Sequence, residues 1–334
     1  WWTDGTSCTK ITDVDFPSNA GRTITGNFVC VDGYSFIMDT GGRIYNSDLN
    51  SLANWTSASY KAANIYPDEG RGLARYKNMI VAFGKETMEF FYNSGQNPVG
   101  SPLDRYEQGF VHMGCLTQFT YTQLEDTVAW VSAGDRAGVS VYMLDGLNPR
   151  RISTAYIDSQ LGVADAASVY MSSAKMVGKT FITVVTEFTT FVYSVEDDLW
   201  HEWYGATTLW HHISGTSSGT RLIYAVSRTS TSGKVFKVDP AAFVYTDNSV
   251  VYTMLIQTPK YDAETQKNKF LSRLSIVGDT TASTNTLSIQ WSDDDYSTWS
   301  TARTVDLTSN NPYIKNCGKF KRRAFRFSNA VDNP

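Results

Sequence analysis

Five times between residues 26 and 238 the chain repeats an apolar strand, a short turn, a second strand and a third. The central apolar runs occupy residues 34–39, 79–84, 127–132, 180–185 and 221–226, so that successive runs start 45, 48, 53 and 41 residues apart. Runs that are apolar on both faces indicate strands buried between neighbouring sheets. Because repeats of about 40–50 residues with several strands each are typical of propeller blades, the pattern predicts an all-β protein built on a β-propeller.

The repeat is lost after about residue 246, where shorter strand-like runs follow at residues 250–257, 270–276, 286–291 and 322–327. About 85 residues are enough for a separate small β-sandwich. We therefore predict two domains, a β-propeller of about six blades at residues 1–245 and a β-sandwich at residues 246–334. The first three residues lead straight into a turn at Asp4 and Gly5. A blade does not start in this way, so we expect a propeller truncated at its N-terminus.

Helices are not expected to contribute much to this fold. No long segment has the 3.6-residue period of an amphipathic helix, and residues 162–167, rich in Ala and Asp, are expected to form one helical turn at most. No segment approaches the roughly 18–20 apolar residues that a membrane-spanning helix needs. We therefore predict no membrane anchor.

Composition and charge narrow the possible functions. The 19 Tyr, 17 Phe and 9 Trp residues suit a strand-rich protein, and the net charge of −4 gives no overall attraction to phosphate backbones. Sequence-specific nucleic-acid binding is therefore not expected. The four cysteines are scattered without metal-site spacing and are interpreted as reduced thiols. The common hydrolase, zinc and phosphate-binding motifs do not occur, so the sequence predicts no catalytic, cofactor or metal site.

The segment at residues 292–299 resembles the Asp-box turn of sialidases, with Tyr296 where Gly is usual. In such a turn the Ser and Asp side chains bind the backbone of the turn while the Trp packs beneath. A structural role is the favoured interpretation. A calcium site at residues 293–295 is the alternative, although the spacing of an EF-hand loop is missing. The residues of the predicted turn are Ser292, Asp294, Thr298 and Trp299.

Basic residues cluster close to the C-terminus, from Lys315 to Arg326, with Phe residues interleaved. Such a patch could hold phosphate or an acidic partner surface. A strand with a solvated basic edge, which discourages wrong pairing, explains the same pattern and stays open. The candidate contact residues are Lys319, Lys321, Arg322, Arg323 and Arg326.

Several segments resemble the packaged-DNA stabilisation family of short-tailed bacteriophages, the tail hub or nozzle proteins of P22-like virions. Their order and spacing, more than any single segment, give the resemblance, which weakens between residues 217 and 310. The segments are TDVDFP at 12–17, YNSDL at 45–49 with Trp55, GKETMEFFYNSG at 84–95, QG at 108–109, GC at 114–115, LNPRRIST at 147–154 and GKFKRRAFRF at 318–327.

This resemblance implies a structural virion protein and not an enzyme. It implies a hexameric ring beneath the portal and its adaptor, which continues the DNA channel, helps to retain the packaged genome and takes part in its ejection. The implied partners are other copies of the chain, portal and adaptor proteins, a tailspike or tail fibre, a tail needle, and double-stranded DNA passing non-specifically. The implied location is the phage tail, after synthesis in the host cytoplasm. No cofactor is implied.

The alternative function is a propeller that binds or cleaves host glycans, as sialidases do. Exposed Trp203, Tyr204 and Trp210 would then stack on sugar rings. Glycoside hydrolysis also requires two carboxyl groups at a set separation. The sequence offers Glu86, Glu89, Glu107 and Glu187 as candidates, and solvated charges at strand edges explain these residues more simply.

Overall fold

A computed structural model of the protein describes residues 2–3, 7–95, 100–134, 138–176, 178–203, 210–217, 220–227, 235–238, 246–247, 250–251, 253–278, 280–281 and 285–329. The chain divides into two compact units. The first unit comprises Trp1–Tyr204 and Thr208–Val238, and the second comprises Gly205–Thr207 and Asp239–Pro334. The domain boundary at residues 245 and 246 stays a prediction.

The first unit consists of antiparallel sheets in which consecutive strands pair. A hairpin of β1 (Trp2–Thr3) and β2 (Cys8–Thr9) comes first. Blades 1 and 2 follow, each with four strands in sequential order. Their strands are β3 (Val29–Val31), β4 (Tyr34–Met38), β5 (Arg43–Ser47) and β6 (Trp55–Ala62), then β7 (Gly70–Tyr76), β8 (Met79–Gly84), β9 (Met88–Asn93) and β10 (Leu103–Arg105).

Blades 3 and 4 repeat this arrangement, and three strands of blade 5 are described. The strands are β11 (Tyr121–Gln123), β12 (Val128–Gly134), β13 (Gly138–Asp145) and β14 (Asn148–Arg151) in blade 3, β15 (Tyr170–Met176), β16 (Lys179–Val185), β17 (Thr190–Ser194) and β18 (Leu199–Trp203) in blade 4, and β19 (Trp210–Ser217), β20 (Thr220–Ser227) and β21 (Val235–Val238) in blade 5.

The second strands β4, β8, β12, β16 and β20 coincide with the five predicted apolar runs. The prediction of an all-β propeller fold is confirmed. Five blades lie in the described part of the chain, and the number six stays a prediction.

Burial on both faces explains why the second strands are continuously apolar. Phe36 of β4 packs in one cluster with Ile80 of β8, while Val81 of β8 packs on its other side with Trp130 of β12. A third cluster joins blades 3 and 4 and includes Val131 and Ile182. Blades 2 and 3 therefore bury both faces against their neighbours, as the pattern of apolar residues requires.

Residues 162–167 hold no more than the end of a helix and the start of a 3-10 turn (Ala166–Ser168), but the nine-residue helix that ends there was not expected from the sequence. Helix α1 (Ala155–Val163) joins blade 3 to blade 4, seven residues before the segment that was expected to turn. The Thr154 side chain accepts the Ile157 N–H at 3.4 Å as an N-cap. Ile157 and Leu161, four residues apart, are buried between the two blades. Among the described residues, no helix is long and apolar enough to cross a membrane.

The second unit contains a four-stranded sheet and three strand pairs in its described part. The strands are β22 (Thr246–Asp247), β23 (Val250–Val251), β24 (Met254–Gln257), β25 (Lys269–Phe270), β26 (Arg273–Ser275), β27 (Thr286–Ser292), β28 (Arg303–Asp306), β29 (Tyr313–Lys315), β30 (Lys319–Phe320) and β31 (Ala324–Asn329). The order in the large sheet is β24-β31-β27-β28, and the pairs are β22 with β23, β25 with β30 and β26 with β29. Leu287 and Ile289 of the large sheet pack against Ile314 and Leu274 of the β26–β29 pair.

Candidate functional site

The predicted Asp-box turn follows directly after β27. The Ser292 hydroxyl donates to Asp294 Oδ1 at 2.8 Å and accepts the Tyr296 N–H at 2.9 Å. Asp294 accepts both the hydroxyl and the backbone N–H of Thr298. These hydrogen bonds to the ionised carboxylate, above all the one from the Thr298 hydroxyl, lower the pKa of Asp294 to about 2. The Ser and Asp side chains thus hold the backbone of the turn.

Trp299 closes the same turn. The guanidinium carbon of Arg326 lies 3.8 Å from the centre of the Trp299 ring, a cation–π distance. The Tyr296 ring lies 6.1 Å from the Trp299 ring on the turn itself. Arg326, which was predicted as a partner contact, therefore has an intramolecular contact with the turn.

Arg323 is an interior residue with 1% of its surface exposed. Its Nε and Nη2 atoms donate to the two carboxylate oxygens of Asp293, each at 2.7 Å, and Nη1 donates to the Cys317 carbonyl. Its guanidinium carbon lies 4.3 Å from the Phe320 ring centre. A buried cation needs such complete pairing. Arg323 therefore joins the Asp-box turn to the start of β31 and is not available to a partner.

The other predicted basic residues differ among themselves. Arg322 forms an ion pair with Asp295, which also pairs with Lys260 at 3.0 Å. Lys319 and Lys321 are exposed. The contact patch stays a prediction for the exposed side chains.

A second basic surface lies on the β26–β29 pair, and only its Lys315 belongs to the basic cluster found from the sequence. Arg273 and Lys315 are directly opposite each other across these strands. The guanidinium carbon of Arg273 lies 4.1 Å from the centre of the Tyr313 ring, and Lys315 Nζ lies 5.2 Å from it. Arg303 of the adjacent β28 donates to the Lys315 carbonyl at 2.6 Å. We call Arg273, Arg303, Tyr313 and Lys315 the basic platform.

The basic platform is exposed and carries three cations. No carboxylate within the described part of the chain forms an ion pair with Arg273, Arg303 or Lys315. Like charges directly opposite on neighbouring strands destabilise a sheet. The platform residues come from three separate segments, and only the strand register brings them together. The sequence signal was limited to polar residues alternating with Leu274 and Ile314.

Acidic residues collect at one end of the blades. In a four-stranded meander the turn between the first and second strands lies at the same end as the turn between the third and fourth. Asn93, at the end of β9, donates to Asp32 of the preceding blade at 3.1 Å, and Lys175 at the end of β15 contacts Glu125 of blade 3 at 3.1 Å. These contacts show that neighbouring blades have their turns at a common end.

We call this end the acidic turn face. Its carboxylates are exposed, and some have cationic neighbours, such as Asp197 with Lys179 at 2.7 Å. Asp126 and Asp145, in the two turns of blade 3, form no ion pair with any described residue. The exposed carboxylates that define the face are Asp32, Asp48, Glu125, Asp126, Asp145, Glu196, Asp197 and Asp198.

The residues suggested for glycan chemistry have other surroundings. Glu89 is buried, accepts from Arg105 Nε at 2.8 Å and from the Ile65 N–H at 2.9 Å, and its burial raises its pKa. Glu187 accepts the Asp165 N–H at 2.9 Å. Both carboxylates therefore have structural partners.

Among the described residues, the aromatic side chains suggested for glycan binding do not form a site, and the carboxylates suggested for calcium binding do not form one either. Trp203 is half-buried and packs on Phe181 at 5.9 Å between ring centres. Tyr204 and the side chain of Trp210 lie outside the described residues. Within the described ranges, no three His, Cys, Asp or Glu residues are grouped as a metal site would require.

Comparison with known proteins identifies the family. The model of a protein family described as bacteriophage P22 Gp10, β-propeller, matches residues 1–215. The chain belongs to this bacteriophage family. The resemblance predicted from the sequence is thereby confirmed. The match includes blades 1 to 4 and the first part of blade 5.

Individual relatives are more distant. The tail hub protein gp10 of Salmonella phage P22 is 29% identical over 103 residues, which are 30% of this chain and 22% of that protein. The aligned part is thus less than a quarter of the P22 protein. Among solved structures, BamB from Moraxella catarrhalis has a TM-score of 0.39 at 11% identity, covering 71% of this chain and 68% of that chain. The N-terminal domain of Nup159 has a TM-score of 0.35 at 8% identity, covering 64% and 60%.

Proposed function

We propose that this chain is a structural subunit of a phage tail hub or nozzle. In this role it extends the DNA channel of the portal and adaptor, helps to retain the packaged DNA and takes part in genome ejection. The observation that carries the proposal is the family match over residues 1–215, together with the likeness to the tail hub protein of phage P22. The protein acts as a passive part of the virion and not as an enzyme.

The charge of the chain supports a conduit. Proteins that bind duplex DNA tightly neutralise several phosphates with Lys and Arg and release counterions. This chain has 29 basic and 33 acidic residues, and one end of its blades is acidic. A channel wall of this composition does not hold a polyanion, so DNA can slide along it.

The proposed assembly is a hexameric ring in the virion tail. Its partners are further copies of the chain, the portal and adaptor above, and a tailspike or fibre and a tail needle. Obligate contacts of this kind bury on the order of 2,000 Å² or more. The edges and loops of the blades offer the surface for them.

The experiment is to locate the protein in intact particles and to remove it. A gold-labelled copy of the full-length protein should appear at the tail vertex in electron micrographs. Particles assembled without it should package DNA and then lose it, as measured by nuclease-sensitive DNA after purification. Adding the wild-type protein should restore retention, whereas adding an unrelated propeller should not. A label elsewhere on the particle, or full retention without the protein, would refute the proposal.

The glycan-binding alternative gains no support from the described residues. A binding screen against host surface glycans is a direct check, and a tail hub subunit should give no signal in it.

A further inference from the structure

The basic platform holds three positive charges that no described carboxylate balances by an ion pair. Arg273 and Lys315 share one aromatic ring across two strands, and Arg303 is hydrogen-bonded to the backbone beside them. In the C-terminal basic cluster, Arg322 and Arg323 form ion pairs with Asp295 and Asp293. Arg273 also donates to the Ser275 hydroxyl at 2.9 Å and to Asn311 Oδ1 at 3.1 Å, but none of the three cations has a carboxylate partner among the described residues. An exposed group of fixed cations of this kind is suited to an acidic partner surface.

The acidic turn face carries an excess of negative charge. Asp126 and Asp145 lie in turns that meet at one end of blade 3, where the Thr127 hydroxyl donates to the Leu144 carbonyl at 2.7 Å. Both carboxylates are exposed and form no ion pair with a described residue. The two surfaces are therefore complementary in charge and lie on different units of the chain.

The distribution of charge along the sequence agrees with this pairing. Residues 239–334 carry 11 Lys and Arg against 10 Asp and Glu, whereas the rest of the chain carries 18 against 23. Charge complementarity of this kind steers association and fixes which surfaces meet.

We propose that the basic platform of one copy binds the acidic turn face of a neighbouring copy. The contact joins two different surfaces, so each copy offers one of each, and the contact repeats from subunit to subunit until a ring closes. The inference rests on the proposed function, because it names the surfaces through which the hub subunits would meet. A second copy is favoured over DNA because the matching acidic surface is on this chain.

The test exchanges charges on the full-length protein and measures self-association by analytical ultracentrifugation. One variant carries Arg273→Glu with Lys315→Glu, and the other carries Asp126→Lys with Asp145→Lys. Each alone places like charges at the contact and should weaken association at least about 10-fold. A 1:1 mixture should restore it, because the reversed platform of one variant meets the reversed turns of the other. The restoration also proves that both variants are folded.

The matched control is Lys319→Glu with Lys321→Glu, which makes the same change of charge at exposed residues of the second unit outside the platform. This variant should associate like the wild type. The proposal is overturned if the control weakens association equally, if the mixture restores nothing, or if the wild type stays monomeric at all concentrations tested.

Two further measurements assign the platform to other partners if the proposal is wrong. Loss of binding to a fluorescent 20-base-pair duplex by Arg273→Glu with Lys315→Glu, with self-association unchanged, would assign the platform to DNA. A fall in melting temperature with association unchanged would assign it to a contact within one chain. Electron microscopy of particles tests the tail location independently, so a failed charge exchange leaves the result on the hub function separate.

Discussion

Truncation of Trp130 gives the sharpest test of the packing between blades 2 and 3. Its side chain, in β12, is 0% exposed. The ring centre lies 5.7 Å from that of Phe83 on β8 and 5.9 Å from that of Tyr142 on β13. Replacement by Ala removes the largest side chain of this cluster and leaves a cavity between two blades that cannot collapse freely. We expect a loss of about 3–5 kcal/mol in the free energy of unfolding.

A second substitution at the same position separates volume from polarity. The indole N–H of Trp130 is buried without a hydrogen-bond acceptor among the described atoms. An unsatisfied buried donor costs about 1–3 kcal/mol. Trp130→Phe keeps most of the ring and removes this donor, so the relief offsets part of the cavity. We therefore expect Trp130→Phe to cost less than half as much as Trp130→Ala.

Urea denaturation followed by far-UV circular dichroism measures these differences without relying on the fluorescence of the replaced Trp. The matched control is Phe188→Ala, an aromatic residue of the same unit that is 61% exposed, which should change stability by about 0.5 kcal/mol or less. Equal denaturation midpoints for Trp130→Ala and Phe188→Ala would refute the packing argument. A Phe variant as unstable as the Ala variant would refute the argument about the unmet donor.

Three further predictions concern the loops and turns. Gly114→Ala places a methyl group 2.3 Å from the Lys85 carbonyl and should lower the free energy of unfolding by about 2 kcal/mol, measured by thermal unfolding. In the control Gly162→Ala the added methyl group has no neighbouring atom within 4 Å, so this variant should be no less stable than the wild type. Equal melting temperatures for the two variants would contradict this. Tyr121→Phe removes the acceptor of the Asn27 N–H at 3.2 Å and should cost about 1 kcal/mol in urea, so an unchanged midpoint would count against that bond. Hydrogen bonds hold the pKa of Asp294 at about 2, so they stabilise the folded protein above the usual pKa of Asp, and this stabilisation is lost as the pH falls towards 2. Asp294→Asn should abolish this part of the pH dependence of stability. Parallel acid-unfolding profiles of the variant and the wild type would contradict this.

Local sequence determined the strands well because each strand is defined by its own residues. The predicted apolar run at residues 79–84 has the same bounds as strand β8. Because this strand is buried on both faces, its residues are continuously apolar, and the two ends of the run mark the ends of the strand. Helix α1 was missed because only Ile157 and Leu161 of its nine residues are buried. Two apolar positions do not establish a period.

The burial and contacts of the basic residues depend on tertiary packing that their local sequence does not determine. Arg322 and Arg323 are neighbours in sequence, and one is exposed while the other is enclosed by Asp293, Cys317 and Phe320. The platform was not foreseeable, because Arg273 meets Lys315 only through the register of two distant strands. Pairing between strands 40 residues apart in sequence depends on tertiary packing and is not encoded in either strand alone.

The order of strands in the second unit has a consequence for biosynthesis. Strand β31 lies inside the large sheet, between β24 and β27, although it is the last strand described. During translation the ribosome releases β24 and β27 long before their common neighbour has been made. Their edges stay open in the nascent chain until then, and open edges recruit other strands. Polypeptide that ends just before Ala324, and so lacks β31, should therefore aggregate or be degraded.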